Sequence, residues 1–252
     1  MSSNLKSRLS AGDMLLGTFV KTPSPMVCEV LGKTELDLVC LDAEHSPFDR
    51  LTQDHCLHAL RAEHMPSLVR VPSSAPEHIL NALDCGATGV VVPHVTSPEL
   101  AEELVKASHF GPGGRGYAGS TRAAGYTTKA MATHLADSAA ESVLVAQIED
   151  LEALDAIDEI AAVDGVDCLF IGRIDLTVAL QAESPSAPVV LAAVERICEA
   201  AAARGRRVGM FVGDLSEIPR WRDHGASLFL LSSDHGFLLQ GAAKLVSQFR
   251  AD

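Results

Sequence analysis

The chain has 252 residues, of which 47% are hydrophobic and 21% charged, so it can bury a large core and is not a disordered segment. Its formal net charge of −13 at pH 7 argues against nucleic acid or an anionic membrane as a partner. An anionic small-molecule substrate would need local positive charge from arginine, backbone N–H groups or a metal.

The first residues, MSSNLKSRLSAGDML, lack the apolar core of a secretory signal, and the chain contains no run of about 18 apolar residues. Its six cysteines are dispersed without a C-x-x-C pair, and Cys40 and Cys168 lie within apolar runs. These features predict a cytoplasmic protein with buried, free thiols.

Short apolar segments alternate with amphipathic ones along the chain. Several are apolar on both faces, which is typical of strands in a buried parallel sheet. Eight strands that alternate with helices favour an α/β fold of the (β/α)8, or TIM-barrel, class over an open doubly wound sheet, as a single domain over residues 1–252. The predicted strands are residues 17–21, 36–42, 67–71, 88–93, 142–149, 166–172, 207–212 and 227–232.

Three of the connecting segments carry helix signals. Residues 97–107 open with Ser-Pro and an acidic first turn. Residues 75–87 contain Gly86 at a position typical of a helix end, and residues 189–204 carry an apolar stripe. These segments predict the helices of βαβ units.

The segment 110–128 differs from the other connections because it is glycine-rich and too long for an ordinary turn. It follows the fourth strand and its helix, and it carries Arg115 and Arg122. These features favour an active-site loop over a simple linker.

Catalytic groups in a parallel barrel lie at the C-terminal ends of the strands. An ionisable residue directly after an apolar run is costly to bury, so it needs a partner or a function. Such residues follow four predicted strands: Asp42, Glu44 and His45 after the second, Arg70 in the third, Gln147 and Glu149 after the fifth, and Gly172 to Asp175 after the sixth.

Glu149 and Asp175 are two carboxylates on neighbouring strand ends. Two hard oxygen ligands, with water in the remaining positions, suit a divalent cation such as Mg²⁺ or Mn²⁺ and leave room for a chelating 2-oxo acid. The alternative is that each carboxylate merely caps the helix that follows it.

Arg70 lies between valines in a strand that should be buried, where its fixed charge could hold a substrate carboxylate or an enolate oxygen. The alternative is a core ion pair. His45 follows Asp-Ala-Glu at a strand end, where a carboxylate could orient one ring nitrogen and leave the other for proton transfer, although a structural histidine is the alternative. A glycine at Gly172 would let backbone N–H groups approach a carboxylate.

From about Gly17 to Asp234 the chain resembles the HpcH/HpaI class of metal-dependent, or class II, pyruvate aldolases. This class includes the hydroxy-oxo-heptanedioate and 2-keto-3-deoxyglucarate aldolases and, more distantly, the citrate lyase β subunits. The D-x-E-H, Q-I-E and F-I-G-x-x-D-L blocks, in this order and spacing, are specific together. The segments that carry the resemblance are LVCLDAEHSPFD, LVRVP, LDCGATGVVVPHV, GPGGRGY, VAQIED and DCLFIGRIDLT.

The resemblance implies a TIM barrel in a homohexamer, a trimer of dimers whose subunits exchange a C-terminal helix near residues 238–250. It implies a reaction in which the metal-stabilised enolate of pyruvate or hydroxypyruvate adds to an aldehyde, or the reverse cleavage of a 4-hydroxy-2-oxo acid. Glu149 and Asp175 match the metal ligands of the family, and Mg²⁺, Mn²⁺ or Co²⁺ would suit them.

The resemblance also implies roles for the polar groups around that metal. Arg70 would steady the 2-oxo acid and its enolate. His45, supported by Asp42 or Asp84, would be the acid and base of the reaction. The residues that would contact the substrate are Gln147, Gly172, Arg173 and Ile174.

One block departs from the family pattern. Where relatives often have Pro-Ser or Pro-Ala between the glycine and the aspartate, this chain has Arg173 and Ile174. An extra cation at this position would alter carboxylate binding or reach a subunit interface, and it bears on which nucleophile is preferred.

Three alternative functions compete with a metal-dependent aldolase. A Schiff-base aldolase would need a lysine at a strand end, and Lys21 is the candidate. A lyase of CoA thioesters, of the citrate lyase β type, would need a basic cluster for the adenosine diphosphate. A non-catalytic metabolite-binding barrel would lack the polar residues at the strand ends.

Overall fold

The computed structural model describes residues 4–251, in which eight parallel strands close into a barrel in the order β1 to β8. All eight predicted strands are confirmed, and so is closure of the sheet. The strands are β1 (Leu15–Val20), β2 (Leu38–Asp42), β3 (Ser67–Arg70), β4 (Gly89–Val92), β5 (Val143–Ile148), β6 (Cys168–Ile171), β7 (Arg207–Val212) and β8 (Ala226–Ser233).

Helices surround the barrel. The described residues form α1 (Leu5–Ala11), α2 (Pro25–Gly32), α3 (Arg50–Ala62), α4 (Pro76–Asp84), α5 (Pro98–Ser108), α6 (Met131–Glu141), α7 (Leu151–Asp155), α8 (Ile157–Ala162), α9 (Arg173–Ala179), α10 (Pro188–Ala203), α11 (Ile218–Asp223) and α12 (Asp234–Ala251), with a 3-10 turn at Leu215–Glu217 before α11. None of these helices is long and apolar enough to cross a membrane.

The three predicted helices are confirmed together with their end signals. The Ser97 side chain caps α5 by accepting a hydrogen bond from the Leu100 N–H at 3.2 Å. Gly86 follows α4 with a φ of 96°, in the left-handed region that favours glycine. Helix α10 lies within one residue of its predicted bounds.

The core has two layers. Alternate strand residues such as Leu38, Cys40 and Leu68 point into the barrel, where Leu5 and Leu9 of α1 pack against them and close its N-terminal end. The other strand residues pack outward against the helices. All six cysteines are buried and free, as the sequence predicted.

The segment 110–128 is not an active-site loop of its own barrel, so that prediction is wrong for the single chain. It begins only after the 11 residues of α5, which carry the chain about 16 Å back toward the N-terminal end of the barrel. There the Ala123 N–H donates to the Asp84 carbonyl at 3.3 Å. The loop helps to line a cavity of about 480 Å³, which lies beside the first residues of β3, β4 and β5.

One face of helix α12 is apolar and exposed. Five large apolar side chains of this helix are exposed: Leu238, Leu239, Leu245, Val246 and Phe249. Burial of large apolar groups is the main driving force of association, so this face has the composition of an interface.

Candidate active site

The site begins with the inward-facing positions of the barrel. Leu38 and Cys40 point inward from β2, so the two-residue period of a strand also turns Asp42 inward. The same period brings Arg70 inward after Leu68 on β3, and Gln147 inward after Val145 on β5. The C-terminal mouth of the barrel is therefore lined with polar groups, while the layers beneath are apolar.

Asp42 and Arg70 form the most buried ion pair at this mouth. They are register partners on β2 and β3, and the Arg70 Nε and Nη2 atoms donate to Asp42 Oδ1 at 3.1 and 2.9 Å. Lys21 Nζ donates to Asp42 Oδ2 at 2.6 Å. Burial alone would raise the pKa of Asp42, but Arg70, Lys21 and the backbone N–H of His45 together lower it below its ordinary value. Asp42 is thus a fixed negative charge that holds two cations in place.

Arg70 combines the two interpretations of its sequence position. It is in a core ion pair, and it also lies along the wall of the cavity described below. Its guanidinium lies 4.7 Å from the centre of the Phe19 ring, and its Nε is 3.3 Å from Glu44 Oε2. The guanidinium is thereby held in one orientation.

Replacement of Arg70 by methionine is expected to destabilise the protein by about 2 kcal/mol, because Asp42 would stay buried with Lys21 as its remaining cation. Urea denaturation of both proteins measures the difference. Lys33→Met is the matched control, since Lys33 is 70% exposed in its ion pair with Glu63 and should change stability by less than about 0.5 kcal/mol. Equal stability of Arg70→Met and wild type would contradict the fixed-charge interpretation of Asp42.

Glu149 follows β5 and is 3% exposed. Its Oε1 accepts from the His94 backbone N–H at 3.0 Å, and Gln147 Nε2 donates to its Oε2. Burial raises the pKa of Glu149 above its ordinary value and the charge of Asp175 adds to this, although the hydrogen bonds from Gln147 and His94 oppose it. A cation that binds beside a buried carboxylate with a raised pKa stabilises the charged form of that carboxylate.

Glu44 and His94 complete a set of possible metal ligands with Glu149. One ligand atom from each of the three lies within 4.8 Å of the others. His94 follows β4 with a φ of 55°, and its Nδ1 lies 3.1 Å from Asp150 Oδ2. Burial would lower the pKa of His94, but Asp150, Glu149 and Glu44 raise it above its ordinary value.

The residues present fit a divalent cation. Within residues 4–251, the buried Oε1 of Gln147 has no hydrogen-bond partner, and neither has the buried Oε2 of Glu44, although Arg70 Nε lies 3.3 Å from it as a charged neighbour. Oxygen atoms of this kind are the ligands that hard divalent cations take, with His94 as an additional ligand for the softer metals. Asp175 lies in the first turn of α9, near enough for its charge to act on Glu149.

A cavity of about 510 Å³ opens beside these groups at the C-terminal end of the barrel. Aromatic side chains from β1, β6 and β7 form its apolar wall, and cations and carboxylates form the rest. Its lining comprises Phe19, Lys21, His45, Arg70, Gln147, Phe170, Ile171, Gly172, Arg173, Ile174, Asp175, Phe211, Gly213 and Glu217. A cavity of this size holds a small organic acid together with a second small molecule.

The sequence profile of the HpcH/HpaI aldolase/citrate lyase family matches residues 15–240. The chain belongs to this family. It is 34% identical to a hydroxypyruvate/pyruvate aldolase of Paraburkholderia phytofirmans, over 98% of this chain and 97% of that protein. It is 33% identical to a 5-keto-4-deoxy-D-glucarate aldolase of Shigella boydii, over 98% and 96% of the two proteins.

A crystal structure of an HpcH/HpaI aldolase/citrate lyase family protein from Burkholderia cenocepacia superposes with a TM-score of 0.92 at 32% identity, over 98% of both chains. The resemblance seen in the sequence is therefore confirmed, as is the barrel. Membership in the HpcH/HpaI family supports the function of a divalent-metal-dependent aldolase.

Two of the predicted acid–base contacts differ in this HpcH/HpaI chain. Asp42 Oδ1 accepts from the backbone N–H of His45 at 3.1 Å and does not hold its ring. The exposed His45 ring has its Nε2 3.8 Å from Glu44 Oε2. Asp84 is the last residue of α4, which runs antiparallel to the strands, so it lies at the opposite end of the barrel and does not reach His45 of its own chain.

The structure shows a further reason for glycine at position 172, beside the predicted approach of backbone N–H groups to a carboxylate. The Gly172 N–H donates to the Ile148 carbonyl at 3.0 Å and is not free for a substrate. A Cβ atom at this position would lie 2.5 Å from Glu149 Oε2, so the Glu149 side chain would have to move. Glycine is favoured here because Glu149 packs directly against the backbone.

The side chain of Arg173 does not point into solvent. Its Nη2 pairs with Glu217 Oε2, and its guanidinium lies 5.4 Å from the centre of the Trp221 ring. Ile174 is 52% exposed at the edge of the cavity.

Sequence reasoning assigned no role to Glu44 or His94. Both carry the signal that pointed to Glu149, an ionisable residue that follows an apolar run: Glu44 follows LVCLD and His94 follows GVVVP. The signal at His94 is weak by itself, because the chain contains ten histidines.

Proposed function

We propose that this chain forms and cleaves 4-hydroxy-2-oxo acids, with the C3 enolate of pyruvate or hydroxypyruvate as the nucleophile and an aldehyde as the acceptor. The observation that carries the proposal is the buried Glu149, which is hydrogen-bonded to Gln147 in the wall of a cavity that Arg70 and Asp175 also line. We propose Glu149 and Asp175 as the ligands of Mg²⁺, Mn²⁺ or Co²⁺, with Glu44 as a further oxygen donor. When bound there, the cation supplies a Lewis acid that lowers the pKa of the C3 proton of a 2-oxo acid.

Each side chain then has one task. Gln147 fixes the rotation of Glu149 through its hydrogen bond. Arg70, held by Asp42, stabilises negative charge on the C2 oxygen of the 2-oxo acid. The backbone N–H groups of Arg173, Ile174 and Asp175, in the first turn of α9, lack helical acceptors and are available to the substrate carboxylate.

The bond changes balance without another reactant. The C3 proton leaves to solvent, C3 forms a bond to the aldehyde carbon, and the aldehyde oxygen takes up a proton. The His45 imidazole at the rim of the cavity moves this proton, since it is exposed and an imidazole ring can both accept and donate a proton. Cleavage of the 4-hydroxy-2-oxo acid is the same sequence in reverse.

Two further features belong to the assembly. We propose a homohexamer in the cytoplasm in which α12 exchanges between subunits; the apolar face of α12 and the six buried free thiols support this. Asp84 then contributes to the reaction only as a side chain of a neighbouring subunit, because it lies at the far end of its own barrel.

The contact of Lys21 with Asp42 argues against a Schiff base. A Schiff-base lysine must attack as the neutral amine, whereas Lys21 Nζ is bound to a fully buried carboxylate at 2.6 Å. This contact engages Nζ with Asp42, the counter-ion that Lys21 shares with Arg70.

Exchange of the pyruvate C3 protons in D₂O, followed by NMR, tests the proposed function. We expect exchange with Mg²⁺ or Mn²⁺, none after treatment with a chelator, and recovery when the metal is added back. Treatment with borohydride and pyruvate should leave the activity intact. Exchange that persists in chelator, or inactivation by borohydride, would contradict the metal-dependent reaction and indicate a Schiff base at Lys21.

A further inference from the structure

The Arg173 side chain is a cation that the proposed enolate chemistry does not use. The other two cations in the wall of the cavity, Lys21 and Arg70, both bind the fully buried Asp42. Arg173 instead pairs with Glu217, which lies in the turn after β7 and also lines the cavity. It therefore supplies positive charge to a different part of the same space.

The guanidinium of Arg173 is fixed in place but keeps free hydrogen-bonding capacity. Glu217 accepts from its Nη2, and Trp221 lies beneath it. Within the described part of the chain its buried Nε has no hydrogen-bond partner. A buried donor without an acceptor is costly, so an incoming anion that accepts from Nε would be stabilised.

Glu217 is a counter-ion with a second contact. Its Oε1 accepts from the Gly213 N–H at 3.2 Å, so the carboxylate is tied to the end of β7 while it neutralises Arg173. An arrangement of this kind keeps the arginine in position when no substrate is bound. It also weakens the positive field in the cavity, and loss of the Glu217 charge would strengthen that field.

The position of Arg173 relative to Arg70 and Glu149 indicates which of the two substrates it contacts. Arg70 lies on β3 and Glu149 follows β5, so a 2-oxo acid bound between them occupies one side of the mouth. The guanidinium of Arg173 is paired with Glu217, in the 3-10 turn that follows β7. Phe170 on β6 and Phe211 on β7 are apolar side chains of the same cavity. The carbon chain of an aldehyde acceptor would pack on these rings, with its distal end toward Arg173.

We propose that Arg173, poised by Glu217, is the residue that selects the acceptor, and that it favours short aldehydes with a carboxylate on the carbon distal to the carbonyl. This inference rests on the proposed aldol reaction. It assigns to the Arg173 side chain a contact with the acceptor, whereas the 2-oxo acid is bound by the backbone of α9 and by Arg70.

The test is a ratio of kcat/KM values for pyruvate addition to an anionic and to a neutral aldehyde, with glyoxylate against glycolaldehyde and succinic semialdehyde against butanal. We expect wild type to prefer the anionic member of each pair. Arg173→Met should lower the ratio at least about tenfold, Arg173→Lys should retain part of it, and Glu217→Gln should raise it. Arg220→Met is the matched control, because Arg220 also lies over the Trp221 ring, at 4.7 Å, but does not line the cavity.

Three outcomes would overturn the proposal: an unchanged ratio in both Arg173→Met and Glu217→Gln, a larger change in the KM for pyruvate than in the aldehyde ratio, or an equal change of the ratio in Arg220→Met. If Arg173→Met does not fold, Arg173→Lys and Glu217→Gln still decide the matter through their opposite signs. Failure of the aldolase function itself would be distinct, since wild type would then add pyruvate to no aldehyde and exchange no C3 protons.

Discussion

Replacement of Glu149 by glutamine is expected to slow metal-dependent exchange of the pyruvate C3 protons at least about 10³-fold. Glutamine keeps the shape of the side chain and removes its charge, so the buried pocket formed by Gln147 and the His94 N–H stays filled. What is lost is the negative oxygen that we propose as a ligand of the cation. NMR exchange rates in D₂O and Mn²⁺ affinity by calorimetry should fall together.

Glu152→Gln is the control for this substitution, because Glu152 is an exposed carboxylate on the helix that directly follows Glu149. It should exchange pyruvate protons at the wild-type rate. An exchange rate in Glu149→Gln within tenfold of wild type would show that the cation is held elsewhere.

Substitution of Gly172 by alanine is expected to cost about 10²-fold in exchange rate and about 2 kcal/mol in stability. The new methyl group would lie 2.5 Å from Glu149 Oε2 and 2.6 Å from Glu149 Cβ, so the carboxylate must move. Arg70 and the rest of the cavity would be unchanged, and the loss would come from displacement of one ligand by one methyl group. Exchange rates and urea denaturation measure the two effects.

Gly116→Ala provides the matched control. Gly116 is exposed, and a Cβ atom there would meet nothing within 4 Å. It should leave both quantities unchanged. Wild-type Mn²⁺ affinity in Gly172→Ala would mean that Glu149 is not confined by the backbone of the following strand.

Much of the fold was predictable because its signals are local. Buried parallel strands such as β4 and β5 are short runs of β-branched and other apolar residues, and the amphipathic segments between them stand out by contrast. Ser97 and Gly86 mark helix ends through contacts with their own neighbours in the chain. Closure of the barrel was favoured by the count of strands, although no single residue encodes it.

The placement of polar residues at the mouth of the barrel was predictable where a residue type and a strand end coincide, as at Glu149, Arg70 and Asp42. It was not predictable where the outcome depends on which way a helix runs or which atom donates. Asp84 and the segment 110–128 follow helices that return to the N-terminal end of the barrel, so proximity in sequence to strand ends was misleading. The Asp42 carboxylate accepts a hydrogen bond from the backbone N–H of His45. The sequence alone does not indicate whether the backbone or the ring of His45 would be the donor.

The Asp42–Arg70 pair and the Arg173–Glu217 pair are carried by different parts of the barrel. The first consists of register partners on adjacent strands, so the backbone ladder itself sets the spacing of the charge that we propose to stabilise the enolate. The second stands on a helix turn and a 3-10 turn beyond the strands. Connections tolerate substitution where strands do not. Evolution can therefore exchange one acceptor for another without disturbing proton abstraction, and a mutant library aimed at new products is best confined to residues 173–174 and 213–217.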